Sequence, residues 1–247
     1  MTARAGIDRC AAGPRPIGPR HAWRTDLVAR TLLAAAPNGR ILDAGCGDGT
    51  LVVALGHAGR AADACDIDLA RVVAARRRTG ADDAAIRWVC ADVTALPWAG
   101  GAFAGTVAGE VLEHVRDDAA AAGELARVLA PGGVLVATVP AGAGRYGPGD
   151  RAAGHVRRYD RRDLTAVLDT AGLVVETMRG WGLPFGRIYD RWVQRPALAA
   201  QGSRAGGGIA RIGGARIVHA LWRALFAVDG RIDARGHGSG WLGVARR

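Results

Sequence analysis

Arg40-Ile41-Leu42-Asp43-Ala44-Gly45-Cys46-Gly47-Asp48-Gly49-Thr50 decides how the chain is read. Arg40 to Ala44 is a short apolar strand, the glycines make a loop, and Thr50 to Gly59 reads as a helix that follows at once. Such a turn lets backbone approach a ligand closely at a helix N-terminus. Outward from it, Ala62 to Asp66 is a second strand ending in acid, Leu69 to Arg78 a helix, Ala85 to Cys90 a third strand and Ala104 to Val111 a fourth. Asp117 to Ala130 repeats the helical period with Leu125, Val128 and Leu129 on one face, and Pro131-Gly132-Gly133 is expected to stop it before the strand Val134 to Pro140. Strands alternating with helices at this spacing predict an α/β fold, doubly wound, with helices on both faces of a parallel sheet.

Beyond Pro140 the pattern loosens. Ala141 to Gly154 is Gly-rich and expected to be a mobile loop. Asp160 to Ala171 reads as a helix with Asp160 as N-cap, and Leu173 to Met178 as a strand. Gly202 to Gly214 is a connector, Ala215 to Val228 an amphipathic helix, and Gly240 to Ala245 a final antiparallel strand at the sheet edge. The expected organisation is an N-terminal arm and covering helix over 1–39 and a main domain over 40–247, with a lid loop at about 141–160 and a helical insert at about 183–230.

Composition limits the function classes. The chain has 247 residues, 49% of them apolar, enough to bury a core. No apolar run approaches the ~18–20 residues of a membrane span, and Met1 to Arg20 lacks a signal-peptide core, so a cytoplasmic location is expected. The 33 basic residues against 23 acidic give a formal charge of +10, yet every basic residue is Arg. That bias fits a GC-rich coding sequence better than a polyanion surface, and Arg157-Arg158 is read as a solvated, salt-bridged pair. Cys10, Cys46, Cys65 and Cys90 show neither a CxxC pair nor a His at ligand spacing, so they are read as reduced thiols, and no metal is expected.

The chemistry gathers at strand ends. Asp66 closes the second strand 23 residues after Asp43, where a carboxylate can take both ribose hydroxyls of an adenosine, and Asp92 follows the third strand at the same sheet edge. A nicotinamide dinucleotide would want GxGxxG; here the third glycine, Gly49, comes one residue early, and Asp43 and Asp48 would repel a pyrophosphate. A cationic, phosphate-free ligand such as S-adenosylmethionine suits these acids.

The ordered segments Ile41 to Gly49, Asp66-Ile67-Asp68, Ala91-Asp92-Val93, Gly109-Glu110-Val111-Leu112-Glu113-His114-Val115 and Leu129-Ala130-Pro131-Gly132-Gly133 resemble the motifs of class I S-adenosylmethionine-dependent methyltransferases, over about Arg40 to Pro140. The resemblance implies a Rossmann-like seven-stranded sheet of order 3-2-1-4-5-7-6 with the last strand antiparallel. It also implies that Asp43 with Gly45, Cys46, Gly47 and Gly49 holds the methionine half of the cofactor. Asp66 would take the ribose, Ile67 would pack on the adenine, Asp92 would accept from its amine with Val93 as neighbour, and Glu110 would border the methionine end.

Transfer to an alcohol needs help in removing a proton, and His155, His114 and Glu113 are the candidate bases. The expected reaction is methylation of a small organic acceptor at oxygen, in metabolism or natural-product biosynthesis. N-methylation of a small molecule and RNA methylation are the alternatives, and a non-catalytic cofactor-binding protein is the reading outside the class. Gly109 to Val115 has no proline and no Cys follows a Pro, which argues against the usual base methylations of nucleic acid. Trp181, Phe185, Tyr189 and Trp192 either line an acceptor pocket or pack on the sheet. The helix Ala215 to Val228 is expected to be buried against the sheet, with a membrane surface or a homodimer contact as the other readings and a monomer equally open.

Overall fold

In a computed structural model, which describes residues 18–36, 38–79, 85–194 and 216–247, the strands close into one mixed sheet. Ile41–Ala44 (β1) is buried at every position because parallel neighbours, Ala62–Asp66 (β2) and Phe103–Gly109 (β4), flank it on both sides. Ile86–Cys90 (β3) extends the sheet beyond β2, and Leu129–Pro140 (β5) beyond β4. Val174–Trp181 (β6) and Gly240–Arg246 (β7) complete the order β3-β2-β1-β4-β5-β7-β6, with β7 antiparallel to both of its neighbours. This is the doubly wound arrangement expected. The arm 1–17 with Cys10, and residues 195–215 with the Gly-rich connector, lie outside the described residues.

Side-chain alternation along the strands builds two apolar layers. Leu42, Leu135 and Ala245 point to one face, where Asp118–Val128 (α4) and Arg161–Thr170 (α6) contribute Leu125, Leu164 and Leu168. Ile41, Val136 and Val244 point to the other, under Pro19–Ala35 (α1) and Thr50–His57 (α2), which bring Leu32 and Leu55. Leu69–Thr79 (α3) packs on β2 and β3. Local chemistry sets the helix starts: Asp117 accepts from Ala120 N at 2.9 Å ahead of α4, and Asp163 accepts from Asp160 N at 2.9 Å at the start of α6. Within β2, the fully buried Asp63 accepts from Arg40 Nη1 (2.6 Å), Arg87 Nε (3.0 Å) and Trp98 Nε1 (2.8 Å).

The structure departs from expectation at four places. The final strand is interior rather than at the edge, which its near-continuous burial reflects; β6, with its alternating exposure, takes the edge. Pro131-Gly132-Gly133 does not separate helix from strand. α4 ends at Val128, β5 starts at once, and the three residues bulge out between the pairs Phe103/Leu129 and Gly105/Val134, bonding to Arg247 instead. β4 ends at Gly109, two residues early, because Glu110 takes φ 59° and turns the chain. The segment 141–160 is no open loop: it carries a short helix, Pro148–Ala152 (α5), and is pinned by Gly142 N to Tyr159 O and Val156 N to Glu113 O.

Of the aromatics after β5, Trp181 and Tyr189 are packing groups, whereas Trp192 is 70% exposed. Trp181 lies within β6 and is 5.6 Å from Trp23; Tyr189, on Phe185–Tyr189 (α7), meets Trp222 and Phe226 at 5.0 and 5.5 Å. Trp222 and Phe226 belong to Arg216–Asp229 (α8), which lays this face on α1 and α7 and ties Arg223 to Asp26 at 2.6 Å, while Leu221 stays exposed. No helix of the described residues is long and apolar enough to cross a membrane.

Candidate functional site

The glycine loop after β1 folds back onto β2. Gly45 N and Cys46 N both donate to Cys65 O at 2.8 Å, and Gly47 N donates to Asp66 Oδ2 at 3.0 Å. Gly45 sits at φ 78°, and a Cβ there would lie 2.3 Å from Val111 Cγ2; Gly49, at φ 76°, would put one 2.7 Å from Trp88. Only glycine fits either place. Asp43 is buried beneath this loop, and burial, reinforced by the charges of Asp48 and Asp66, pushes its carboxyl from 3.8 up to about 7. Burial also pushes the Cys46 thiol well up, which makes it an inert filler.

A cavity of ≈ 500 Å³ opens here, and among the expected residues Asp43, Gly45, Cys46, Gly47 and Glu110 line it. The covering helix α1 forms its opposite wall with His21, Arg24 and Val28. Gly49, Asp66, Ile67, Asp92 and Val93 are not part of that lining: Gly49 stands ahead of α2, and the others stand at or just past the ends of β2 and β3. Asp66 steadies the loop through Gly47 and accepts from Asp68 N at 3.0 Å, Ile67 is 70% exposed at the strand tip, and Val93 is buried. Asp92 is held by Thr94 N and Oγ1, both at 2.8 Å. An anionic floor, a tight glycine cradle and an exposed apolar side chain at a strand tip suit the methionine, ribose and adenine of S-adenosylmethionine.

The fourth strand delivers the other half of the site. Glu110, at the turn, meets Arg24 Nη1 at 3.2 Å through Oε2, while its buried Oε1 has no hydrogen-bond partner among the described residues. Burial opposes the charge of Glu110, but Arg24 and Arg20 keep it below the ordinary carboxylate range. The helical turn Leu112–His114 follows, burying Glu113 completely with both oxygens unpartnered among the described residues. Burial, with the charge of Glu110 added, pushes the Glu113 carboxyl well up. His114 Nδ1 lies 3.1 Å from Gly154 O, and His155 Nδ1 lies 3.1 Å from Asp150 Oδ1. The two imidazole rings meet edge to face, 4.8 Å apart. Burial and the neighbouring His114 hold His155 below the ordinary imidazole range against the pull of Asp150.

All three expected bases therefore converge. What the sequence does not disclose is what aims them. Asp150, nearly buried, accepts from Arg158 Nε at 2.7 Å and Gly147 N at 2.9 Å while facing His155, and Arg24 reaches Glu110 from a helix far off in sequence. Arg157 is tied to Asp118 at 2.5 Å and Arg116 O at 2.6 Å, so this basic pair is structural.

Comparison with known proteins agrees with this geometry. Residues 42–137 match the family model described as a methyltransferase domain. That stretch, from β1 to β5, is similar to a methyltransferase domain. An uncharacterised methyltransferase of Mycobacterium tuberculosis is 34% identical over 116 residues, 46% of this chain and 58% of the relative. A probable S-adenosylmethionine-dependent methyltransferase of Mycolicibacterium smegmatis is 31% identical over 160 residues, 64% of this chain and 60% of that one. The chain thus spans under two thirds of the length of these methyltransferases. The [4+2]-cyclase SpnF shares the fold, with a TM-score of 0.66 at 24% identity, covering 99% of this chain and 93% of SpnF. A methyltransferase fold by itself does not fix the reaction.

Proposed function

We propose that the protein methylates a small organic acceptor at oxygen, using S-adenosylmethionine. When bound, that cofactor supplies a methyl on sulfonium: the acceptor oxygen bonds to carbon as the carbon–sulfur bond breaks, its electron pair staying on sulfur. Asp43 and the loop Gly45, Cys46, Gly47 and Gly49 hold the methionine half, and Asp66 the ribose. Ile67 packs on the adenine, Asp92 accepts from its amine with Val93 as neighbour, and Glu110 borders the methionine end. α1 keeps water from the reacting end.

One observation carries the oxygen assignment: His114 and His155 turn their Nδ1 atoms to fixed acceptors beside Glu110, so both Nε2 atoms are left to meet a hydroxyl. A carboxylate or free amine acceptor would not need them. The test is a panel of hydroxylated, carboxylic and amine acceptors assayed with the wild type, His114→Ala and His155→Ala, with cofactor affinity measured by calorimetry. Turnover on a hydroxylated acceptor is expected to fall at least about tenfold in each variant, with cofactor affinity kept. Turnover above a tenth of wild type in both would remove the histidines from the reaction, and no heat with S-adenosylmethionine would remove the reaction itself.

A further inference from the structure

Glu113, His114 and His155 come from two separate stretches of chain, yet one ligand atom from each lies within 4.8 Å of the others. Three facts about this cluster have no account in packing. Glu113 is fully buried with two unpartnered oxygens among the described residues, a cost no fold bears without return. Each histidine has its Nδ1 beside an acceptor, Gly154 O or Asp150 Oδ1, which leaves Nε2 as the lone-pair nitrogen of the neutral ring. A carboxylate or carbonyl behind an imidazole is how proteins orient metal-binding histidines. Finally, Glu110 Oε1, also buried and without partner among the described residues, belongs to a carboxylate that acts on both Glu113 and His155 through its charge.

We infer that Glu113, His114 and His155 form a binding site for a divalent first-row transition ion, with a coordination position left open for the acceptor. Two imidazole nitrogens favour such an ion over magnesium or calcium, which take oxygen ligands. Three protein ligands and an open position are the make-up of catalytic rather than structural metal sites. Ligand bonds of about 2.1 Å span up to ~4.2 Å, so an approach of about half an ångström by one side chain closes the shell. Arg24 already neutralises Glu110 Oε2, which leaves Glu110 at the border of the site.

The role of the open position rests on the methyl-transfer reading above; the ion site does not. There, a hydroxyl of the acceptor binds the ion and releases its proton to solvent at a pH where the free alcohol would keep it. The histidines then act on the hydroxyl through the ion, which replaces the direct contact of their Nε2 atoms given above and leaves the oxygen assignment as it stands.

The experiment uses untagged full-length protein stripped with chelator. Mn²⁺, Co²⁺ and Zn²⁺ are titrated by calorimetry, with Mn²⁺ electron paramagnetic resonance and Co²⁺ visible absorption as readouts independent of turnover. One equivalent per chain is expected, with no comparable heat from Mg²⁺ and a higher melting temperature with ion. Glu113→Gln and His155→Gln are each expected to weaken binding at least tenfold, so that if one fails to fold the other decides. Asp150→Asn, which touches no ion, is expected to weaken it by about 10–100-fold through loss of the His155 partner. Absence of a stoichiometric site in the wild type, or unchanged affinity in the folded variants, overturns the proposal. S-adenosylmethionine is titrated separately into ion-free protein: failure there sinks the methyl-transfer reading alone, and failure with the ions sinks this one alone.

Discussion

Asp43→Asn is expected to raise stability at pH 8 while weakening S-adenosylmethionine binding at least tenfold. The carboxyl titrates at about 7 in the folded protein against 3.8 unfolded. Between those values the native state binds more protons than the unfolded chain, so stability falls as pH rises, and the full penalty stands above about pH 7. Holding a carboxyl that far above its ordinary range costs about 4 kcal/mol once it is ionised. The amide cannot ionise, so the gain is expected at pH 8, with a melting temperature higher by roughly 8–16 °C, and to be almost gone near pH 4, where the folded acid is neutral and the unfolded one about half so. Urea titrations at pH 4, 6 and 8 check this. Equal pH slopes for the two proteins would mean that Asp43 is not held as a strained acid. With the slopes differing as expected, the charge has a use only when a cation lies over it, which is why a sheet should keep so costly a group under a glycine loop.

Asp63→Ala is expected to have the opposite character: about 3 kcal/mol lost and cofactor affinity unchanged. Its carboxylate is fully buried and takes three donors, from Arg40, Arg87 and Trp98. Removing it strands the indole N–H and two guanidinium groups. Because Arg87 is 60% exposed, water recovers part of the loss, which puts the figure at the low end for a broken buried pair. The denaturant midpoint at pH 7 measures it, with Asp63→Asn expected to lose about half as much, since its carbonyl still accepts from Trp98. A midpoint within about 0.5 kcal/mol of wild type would show that the clasp adds nothing to the fold. Asp63 stands three residues before Asp66 on the same strand, so the pair of variants separates stability from binding along β2.

The strand tips are legible in the sequence because their signals are local. A glycine loop between a strand and a helix, with acids closing the next two strands, needs only spacing to be recognised, and Asp43, Asp66 and Asp92 stand at the same edge of the sheet. Glu113, His114 and His155 are legible as titratable groups near that edge. Their convergence depends on how 141–160 folds, and nothing in a Gly-rich stretch announces that Asp150 will turn back to His155. Arg24 is hidden for a related reason: its partner, Glu110, lies across a helix-to-strand contact that has no sequence period. The end of β4 is invisible because a left-handed Glu carries no mark, and the Pro-Gly-Gly segment misleads because a bulge and a turn use the same residues.

β6 bonds to one neighbour only, and that neighbour is β7, nearly sixty residues further on. During synthesis, then, Val174–Trp181 emerges with its backbone amides and carbonyls unanswered while β5 likewise shows a bare flank, and both wait for Gly240–Arg246 to slot between them. The nascent polypeptide carries an open seam between β5 and β6 until Gly240–Arg246 appears, so this side of the sheet closes only when that strand is in place.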